Sequence, residues 1–440
     1  MRYPVYPEYK ESGVQWLGQV PEHWEVKRLK DVGSLMAGAG FPHEFQGIED
    51  EKYPFFKVGD LANSSDGRKM IRGEHSISRK TASILRARII PPNAIIYAKI
   101  GAALLLNRRR ITAIPCCIDN NMTAFVPTAG KIDTTFSFYW FSTLDFGEFT
   151  NPGAVPSLSE GYQSILPITL PPLPEQTAIA NFLDRETGRI DTLVAKKRRL
   201  IALLKEKRTV LISRAVTRGL PASVAREFGL EPHTRFKDSG IEWLGQVPEG
   251  WEVTALKWRI RTKSGDGIPT FEVSPEKSVD ANIPVIGGNG IMGYCSSANS
   301  NTPVLAVGRV GALCGNVHEI NYSAWITDNS LVLTVQRNTF DLKYLASVLR
   351  TRNLNEIADK TAQPLITGTR VRAEFAPVPP LPEQTAISTY LDRETAKIDR
   401  LVEKIELLIS RLQEYRAALI TAAVTGKIDV RSCTSQEVST

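Results

Sequence analysis

Several features that mark membrane, secreted and metal-binding proteins are missing from this 440-residue chain. It has no apolar run of the ~18 residues that a membrane span needs, and its N-terminus lacks the apolar core of a secretory signal. The cysteines are odd in number and never in Cys-x-x-Cys spacing, at positions 116, 117, 295, 314 and 433. We therefore expect buried thiols rather than disulfides or a zinc site, in a cytoplasmic protein.

Catalytic and cofactor motifs are missing as well. The sequence has no ATP-binding G-x-x-x-x-G-K-[ST] loop, no Asn-Pro-Pro-aromatic motif of amino-methyltransferases and no serine nucleophile turn, and its histidines are scattered. The stretch GGNGIMG (287–293) contains G-x-G-x-x-G, but turn and strand residues follow it, where a dinucleotide fingerprint needs a helix. We predict a glycine-rich β-turn there, and no catalytic residue, metal site or cofactor in this chain.

The composition is that of a globular protein with a basic excess. Hydrophobic residues make up 42% and charged residues 23% of the chain, which is long enough for two or three domains. The formal net charge is +7 at pH 7, with an isoelectric point near 9.0. This excess favours a polyanion partner such as nucleic acid.

The clearest positive feature is an internal duplication. PPLPEQTAI occurs at 171–179 and again at 379–387, and the match continues without a gap to 217 and 425, with about three positions in five identical. Upstream of each copy, residues 9–30 match 236–257 at about two positions in three. The chain is thus predicted to be a tandem repeat with well-matched ends and divergent middles.

The duplication predicts seven segments. They are an N-terminal repeated segment (1–30), a first globular domain (31–170), a long central helix (171–218), a connector with the second repeated segment (219–257), a second globular domain (258–378), a C-terminal long helix (379–426) and a tail (427–440).

The divergent middles share landmarks in the same order and at similar spacing. The paired stretches are AGAGFP (37–42) with SGDGIP (264–269), YPFFKVGDL (53–61) with IPVIGGNGI (283–291), AKIGA (98–102) with GRVGA (308–312), and IDNNMTAFV (118–126) with TDNSLVLTV (327–335). Their β-branched runs between turn residues predict many short strands, with a short helix late in each domain. We predict one mixed α/β fold that carries two different surfaces.

Both long segments have apolar residues three and four apart, which predicts helices of about 43 residues with an a/d seam. The predicted seams are Ile190, Leu193, Lys197, Leu200, Leu204, Lys207 and Leu211 in the first helix, and Ile398, Leu401, Ile405, Leu408, Leu412, Tyr415 and Leu419 in the second. An adjacent row widens each stripe: Val194 and Ile201, and Val402 and Ile409. We expect the helices to pair antiparallel as a spacer between the domains. The basic side chains of the first helix form either a solvated face or a phosphate-facing stripe.

Taken together, these motifs resemble the specificity (S) subunits of type I restriction-modification systems. The resemblance is carried by SGVQWLGQVPEHWEV and SGIEWLGQVPEGWEV, both PPLPEQTAI copies with LDRET after them, AVT near each helix end, and IPVIGGNGIMGY. It covers residues 9 to about 426. It implies an α+β fold in which two mixed α/β target recognition domains are separated by two long antiparallel coiled-coil helices with pseudo-two-fold symmetry.

The resemblance also implies a function. Each target recognition domain would read one half of a bipartite, asymmetric site in double-stranded DNA. The paired helices would set the gap and dock two methyltransferase (M) subunits, which would bind S-adenosylmethionine, and restriction (R) subunits would add ATP- and Mg-dependent cleavage. The chain itself would be non-catalytic, in agreement with its missing motifs.

Base edges are read by Arg, Lys, Asn and Gln side chains, so candidates were taken from the shared landmarks and nearby loops. They are Lys99, Arg108, Arg109, Arg110 and Asn120 in the first domain, and Asn289, Arg309, Asn316 and Asn329 in the second. The three arginines differ between the copies and suit phosphate contacts. Asn120 and Asn329 could instead cap a turn.

Two other classes of function stay open at this point. One is a stand-alone methyltransferase or nuclease, against which the missing motifs count. The other is a coiled-coil adaptor that does not read sequence, against which the concentration of divergence in the middles counts.

Overall fold

The computed structural model describes residues 3–64, 67–150, 155–336, 339–359 and 364–432. The chain forms two compact units. Unit 1 comprises Met1–Lys197 with Leu407–Thr440, and unit 2 comprises Arg198–Glu406. Each unit contains one globular domain and parts of both long helices. The boundaries between the units, after Lys197 and after Glu406, therefore fall inside the two predicted long helices.

The elements of the N-terminal half come in this order: β1 (Tyr9–Glu11), β2 (Gln19–Pro21), β3 (Glu25–Arg28), α1 (Leu29–Val32), β4 (Gly33–Ala37), β5 (Tyr53–Phe56), β6 (Lys69–Met70), β7 (Ser76–Ile77), α2 (Arg79–Ile84), β8 (Ile95–Ala98), α3 (Ala102–Leu105), β9 (Arg109–Thr112), β10 (Cys117–Ile118), β11 (Met122–Pro127), α4 (Thr134–Ser142), α5 (Glu160–Ile165), β12 (Pro167–Leu170) and α6 (Leu173–Arg218).

The C-terminal half repeats the plan: α7 (Ala222–Glu227), β13 (Phe236–Asp238), β14 (Gln246–Pro248), β15 (Glu252–Ala255), β16 (Ile260–Ser264), β17 (Ile283–Gly287), β18 (Gly290–Cys295), β19 (Val304–Gly308), β20 (Val317–Ile320), β21 (Trp325–Ile326), β22 (Ser330–Val335), α8 (Leu342–Arg352), α9 (Gly368–Ala373), β23 (Phe375–Val378) and α10 (Leu381–Val424).

The two globular domains share one sheet topology, except that the larger sheet of unit 1 has one more edge strand. In unit 1 the larger sheet has the order β4-β11-β8-β9-β6, and in unit 2 it has the order β16-β22-β19-β20. The smaller sheets also correspond, because β5 pairs parallel with β10 and antiparallel with β7, as β17 pairs with β21 and β18. The central strands β8 and β19 are buried along their whole length, as expected for apolar runs covered on both faces. The predicted mixed α/β fold is confirmed.

The predicted long helices are α6 and α10, with 46 and 44 residues. Inside unit 1, Asp191 of α6 pairs with Arg416 of α10, and Thr169, just before α6, donates a 2.6 Å hydrogen bond to the carbonyl of Val424 at the end of α10. The α6 and α10 parts of unit 1 are therefore antiparallel. In unit 2 the pair Arg208–Asp399 and the contact of Tyr390 with the Leu211–Ala215 turn give the same orientation.

The predicted a/d seam is wrong in one respect. Ile190, Ile398 and Ile405 are buried, but five of the predicted seam residues are between 39% and 46% exposed: Leu193, Leu200, Leu401, Leu408 and Tyr415. The adjacent row packs instead, since Val194 and Ile409 are buried. The apolar stripe of each helix is thus wider than the face that meets its partner helix, and one edge of the stripe remains on the surface.

The repeated PPLPEQ stretch is explained by a buried glutamate at each start of a long helix. Glu175 is 6% exposed, and its carboxylate accepts hydrogen bonds from Tyr6 Oη (2.6 Å) and Trp24 Nε1 (3.0 Å), while His23 Nε2 lies 2.8 Å away. Burial and the adjacent carboxylate raise the pKa of Tyr6. The glutamate therefore joins the N-terminal segment to the helix start.

Unit 2 repeats this joint with one donor fewer. Glu383 is 8% exposed and accepts from Trp251 Nε1 at 3.1 Å, with His233 Nε2 at 2.5 Å. His233 belongs to the stretch predicted as a connector, which also contains the short helix α7. The connector thus supplies part of the second joint.

The glutamine of each repeat fixes the globular domain to the same helix start. The side chain of Gln176 is fully buried, donates to the carbonyl of Pro171 (2.8 Å) and accepts from the backbone N–H of Asp133 (2.7 Å). Gln384 makes the same two bonds, to Pro379 (2.8 Å) and from Asp341 (2.9 Å). Because Asp133 and Asp341 are the N-caps of α4 and α8, each glutamine connects a domain helix to a long helix.

Two further predictions concern turns and thiols. GGNGIMG forms the two-residue turn between the antiparallel strands β17 and β18, so the predicted β-turn is confirmed. The four cysteines before 433 are free and buried, and Cys433 lies outside the described residues. In the part of the chain that the structure describes, no helix is long and apolar enough to cross a membrane, and no group of His, Cys, Asp and Glu side chains could hold a metal ion.

Candidate nucleic-acid interface

Five loop segments of unit 1 meet at one edge of its sheets, and we call them loop cluster 1: residues 38–39, 56–57, 99–101, 119–122 and 156–158. Backbone hydrogen bonds join them. Ala39 N donates to the carbonyl of Ile118, Asp119 N to that of Phe56, Lys99 N to that of Asn121, and Gly101 N to that of Pro156, at 2.8–3.0 Å.

Unit 2 has the matching loop cluster 2: residues 265–266, 286–288, 309–311, 327–330 and 364–366. Asp266 N donates to the carbonyl of Ile326, Thr327 N to that of Ile286, Arg309 N to that of Asn329, and Gly311 N to that of Pro364, at 2.8–3.0 Å. Each bond has its counterpart in loop cluster 1, so the two clusters share one backbone frame.

Both frames need a glycine at one position. A Cβ on Gly38 would lie 1.9 Å from the backbone oxygen of Asp119, and a Cβ on Gly265 would lie 2.3 Å from the oxygens of Ile326 and Thr327. These separations are far below van der Waals contact. The first glycine of each G-x-G landmark thus allows the close crossing of two backbones.

The hydrogen bonds also correct the predicted alignment of one landmark. The bridge Ala39–Asp119 corresponds to the bridge Asp266–Thr327, and Lys99 and Arg309 donate from equivalent backbone positions to Asn121 and Asn329. Asn329 therefore corresponds to Asn121, and Asn120 corresponds to Asp328. An ungapped match of IDNN to TDNS is one residue out of register, which hydrogen bonding reveals and the letters do not.

Comparison with known proteins shows what the chain is similar to. Residues 21–201 match the family model described as "Type I restriction modification DNA specificity domain". The chain is 28% identical over 170 residues to the EcoprrI specificity subunit of Escherichia coli, spanning 39% of this chain and 41% of that one. It is 23% identical over 448 residues to the putative MjaX specificity subunit of Methanocaldococcus jannaschii, spanning 96% and 98%. Residues 21–201 are thus similar to this DNA specificity domain, and nearly the whole chain is similar to the MjaX specificity subunit.

One solved structure has a similar fold over most of the chain. A chain from work on "complex assembly" and "conformational transition of the type I R-M system" superposes with a TM-score of 0.67, at 17% identity, over 92% of this chain and 98% of that one. The matched segment to the EcoprrI subunit, in contrast, spans less than half of that relative. The family model ends at 201, and the internal repeat carries the same fold into unit 2.

Four of the predicted DNA-binding residues lie in the two loop clusters. Lys99 and Arg309 are half-buried at equivalent positions, and Arg309 Nη1 donates to Ser264 Oγ at 3.2 Å. Asn120 and Asn329 are exposed. These loops thus present amide and cationic groups of the kind that contact bases and phosphates.

Three more predicted residues lie beside the clusters. Asn316 Nδ2 donates to Asn289 Oδ1 at 3.3 Å, which joins the loop before β20 to the β17–β18 turn. Arg108 precedes β9 as Asn316 precedes β20, because Arg109 pairs with Tyr97 as Val317 pairs with Val307. Arg108, Asn289 and Asn316 are all exposed.

The structure gives Arg109 a place inside the domain. It is 6% exposed, its guanidinium donates to the carbonyls of Asn107 (2.6 Å) and Leu144, and it lies 4.2 Å from the ring centre of Phe146. Burial lowers the pKa of this guanidinium to about 10. We therefore leave Arg109 out of the interface, whereas Arg110 is half-buried and donates to the carbonyl of Arg109.

Two cluster residues were missed from the sequence. Asn121 is absent from the candidates because of the register error, and its backbone N–H donates to Asp119 Oδ1 at 2.7 Å. Lys57 follows Phe56, and its Nζ donates to Gln46 Oε1 at 3.1 Å. The strand-end position of Lys57 within YPFFKVGDL is the signal that could have identified it. The carboxylate of Asp119 is buried, and desolvation raises its pKa. It fixes the turn that contains Asn121.

Proposed function

We propose that this chain is the non-catalytic DNA-recognition subunit of a type I restriction-modification complex, and that each globular domain reads one half of a bipartite site. The observation that carries the proposal is the pair of loop clusters, which share one backbone frame and differ in side chains. A shared frame with different side chains suits two readings of different base sequences by one mode of docking.

The differences between the clusters indicate two unlike half-sites. Lys99 in cluster 1 stands where Arg309 stands in cluster 2, and Ala39 stands where Asp266 stands. Beside the clusters, Arg108 stands where Asn316 stands. Cluster 1 is the more cationic, so phosphate contacts make a larger contribution to its binding, and cluster 2 depends more on amide contacts.

The long helices provide the docking surface for the methyltransferase subunits. In unit 1 the exposed apolar side chains of the helices include Leu193, Leu407, Leu408 and Tyr415, and in unit 2 they include Leu200, Leu203, Val210 and Leu401. Leu193 and Leu200 of α6 recur as Leu401 and Leu408 of α10. Two similar apolar edges suit two copies of one partner, and the helices between the domains set the gap.

The chemistry of the complex comes from its other subunits in this account. The methyltransferase subunits bind S-adenosylmethionine and methylate adenine, and the restriction subunits use ATP and Mg. The complex acts on double-stranded DNA in the cytoplasm.

Methylome mapping tests the proposal. Genomic DNA is sequenced from cells that carry the complete system and from cells that lack only this chain. One bipartite methyl-adenine motif should be present in the first sample and absent from the second. Unchanged methylation in the absence of the chain would contradict the proposal, and methylation by the purified chain alone would replace it with a stand-alone enzyme.

A further inference from the structure

A short segment of unit 2 projects from loop cluster 2 and is fixed at both ends. At its start, Asp266 bridges to Thr327, its carbonyl accepts from Trp325 Nε1 (3.1 Å), and its side chain accepts from Asn299 Nδ2 (2.9 Å). At its end, Ser274 exchanges two backbone hydrogen bonds of 2.8 Å with Tyr294 on β18. The residues between are held close to the cluster, because only seven residues separate the two fixed ends.

This segment exposes an aromatic ring. Phe271 lies in the 3₁₀ turn Thr270–Glu272 and is 88% exposed. On the neighbouring strand β18, Ile291 and Met292 are 54% and 56% exposed. Phe271 is five residues from Asp266 and so lies at most about 18 Å from it along an extended chain. The fixed ends thus keep an exposed aromatic side chain within about 18 Å of Asp266 in loop cluster 2.

Unit 1 has the same turn, but its phenylalanine, Phe45, stands one position later and is half-buried. The 3₁₀ turn His43–Phe45 follows Pro42 as Thr270–Glu272 follows Pro269. Glu44 occupies the position of Phe271 and is exposed. An exposed glutamate is ordinary for a solvated turn, whereas a phenylalanine that is 88% exposed on a fixed turn offers its ring to an apolar partner.

We propose that Phe271 is a stacking side chain that enters the DNA at the half-site read by the second domain and packs against the bases of one step. This inference rests on the proposed function and adds a recognition contact to it. Phenylalanine wedges partly unstack a base step, and flexible pyrimidine–purine steps accept them most readily. The second domain thus reads deformability at that step, while the first domain, with Glu44, does not.

The test uses the full chain assembled with its methyltransferase subunits and a duplex carrying the bipartite motif found by methylome mapping. 2-Aminopurine replaces each base of the motif in turn. With the unaltered chain, fluorescence should rise on binding at one step of one half-site. Phe271→Ala should abolish that rise in fluorescence. It should also weaken binding about 5- to 150-fold, since base–aromatic stacking has that size. Phe271→Trp should retain the fluorescence rise and the binding affinity.

Val279→Ala is the matched control, because Val279 is 91% exposed in the same unit and lies outside the fixed segment. It should leave affinity and fluorescence unchanged. Binding by Phe271→Ala within twofold of the unaltered complex, an equal loss in Val279→Ala, or loss of methyltransferase assembly instead of DNA affinity would each overturn the inference. A complex of the unaltered chain that does not distinguish the motif from random DNA would contradict the proposed function itself.

Discussion

The joints at the starts of the long helices and the loop clusters at the edges of the domains have diverged in different ways. At the joints, the central bonds are the same in both units: Glu175 and Glu383 each accept from a tryptophan, and Gln176 and Gln384 each donate to a proline carbonyl. Among the described residues, only Glu175 also accepts from a tyrosine. In the loop clusters, the backbone bonds are the same and the side chains differ. The two copies have thus kept the central side-chain bonds where the domain meets the helix. Where the surface faces a partner, they have kept only the backbone bonds.

Removing a joint glutamate should have the largest effect. Glu175→Ala leaves Tyr6, Trp24 and His23 without their acceptor, and we expect the free energy of unfolding of unit 1 to fall by about 4 kcal/mol. Glu383→Ala removes the acceptor of two donors, so unit 2 should lose about 3 kcal/mol. Denaturant titration read by hydrogen-exchange mass spectrometry measures each unit separately.

Two controls accompany this experiment. Glu175→Gln keeps an acceptor oxygen for the tryptophan and the tyrosine and should restore about half of the loss. Glu22→Ala, at an exposed position of the same N-terminal segment, should change stability by less than about 0.5 kcal/mol. Equal losses for Glu175→Ala and Glu22→Ala would show that the buried joint is unimportant.

Adding a methyl group to the frame glycine should have the next largest effect. Gly38→Ala and Gly265→Ala place a Cβ against backbone oxygens and should each destabilise their unit by about 3 kcal/mol. Gly40 and Gly267, two residues on in the same landmarks, have open space at that position and are matched controls. Circular dichroism melting compares the four variants, and similar melting temperatures for Gly38→Ala and Gly40→Ala would refute the close crossing.

The three adjacent arginines should separate into structural and surface roles. Arg109→Ala should lower the stability of unit 1 by about 2 kcal/mol, because buried carbonyls and the ring of Phe146 lose their partner. Arg108→Ala should change the free energy of unfolding by less than about 0.5 kcal/mol. It should reduce the slope of log binding constant against log salt concentration by about 1, as expected for the loss of one phosphate contact. Thermal melting and salt-dependent binding assays distinguish them, and an unchanged salt dependence would remove Arg108 from the interface.

Some of this division could be predicted from the sequence. Helix lengths, the order of the landmarks and the β-turn in GGNGIMG follow from local spacing and residue type. Arg109 and Ile111 lie on the same face of β9, because side chains alternate along a strand. A strand predicted at these residues would therefore have predicted the inward direction of Arg109. The glutamate joint could not be predicted, since Tyr6 and Trp24 are more than 150 residues from Glu175 in the chain.

The loop clusters were predictable in outline and not in register. Shared glycines mark the landmarks, but the correspondence of Asn121 with Asn329 depends on which carbonyl accepts which N–H. The buried face of the helices also depended on packing. The apolar stripe is wider than one helix–helix contact, so the sequence does not show which edge of the stripe the partner helix covers. Leu193 and Leu401 are therefore predicted at the seam, but they are exposed.

A smaller effect is expected for the equivalent cations of the two clusters. Lys99→Ala and Arg309→Ala should each weaken DNA binding by about tenfold, and each should relax discrimination in one half-site only. Competition with duplexes mutated in either half-site measures this. Relaxation of both half-sites by one substitution would mean that the clusters do not act separately.

The ion pairs between the long helices should have the smallest effect. Arg208–Asp399 in unit 2 and Arg416–Asp191 in unit 1 are exposed, so Arg208→Ala or Arg416→Ala should cost less than about 1 kcal/mol. A double-mutant cycle in each unit gives the coupling energy. Coupling well above 1 kcal/mol would show that these pairs, and not the buried joints, hold the helices to their units.

Domain exchange tests the central claim most directly, which is that two modules on one frame read two half-sites independently. Residues 258–378 are replaced by the corresponding domain of another specificity subunit, the joint residues are kept, and the methylated motifs of the cells are mapped. We predict that one half-site changes while the other half-site and the gap length stay the same. A change in both half-sites together would contradict the account.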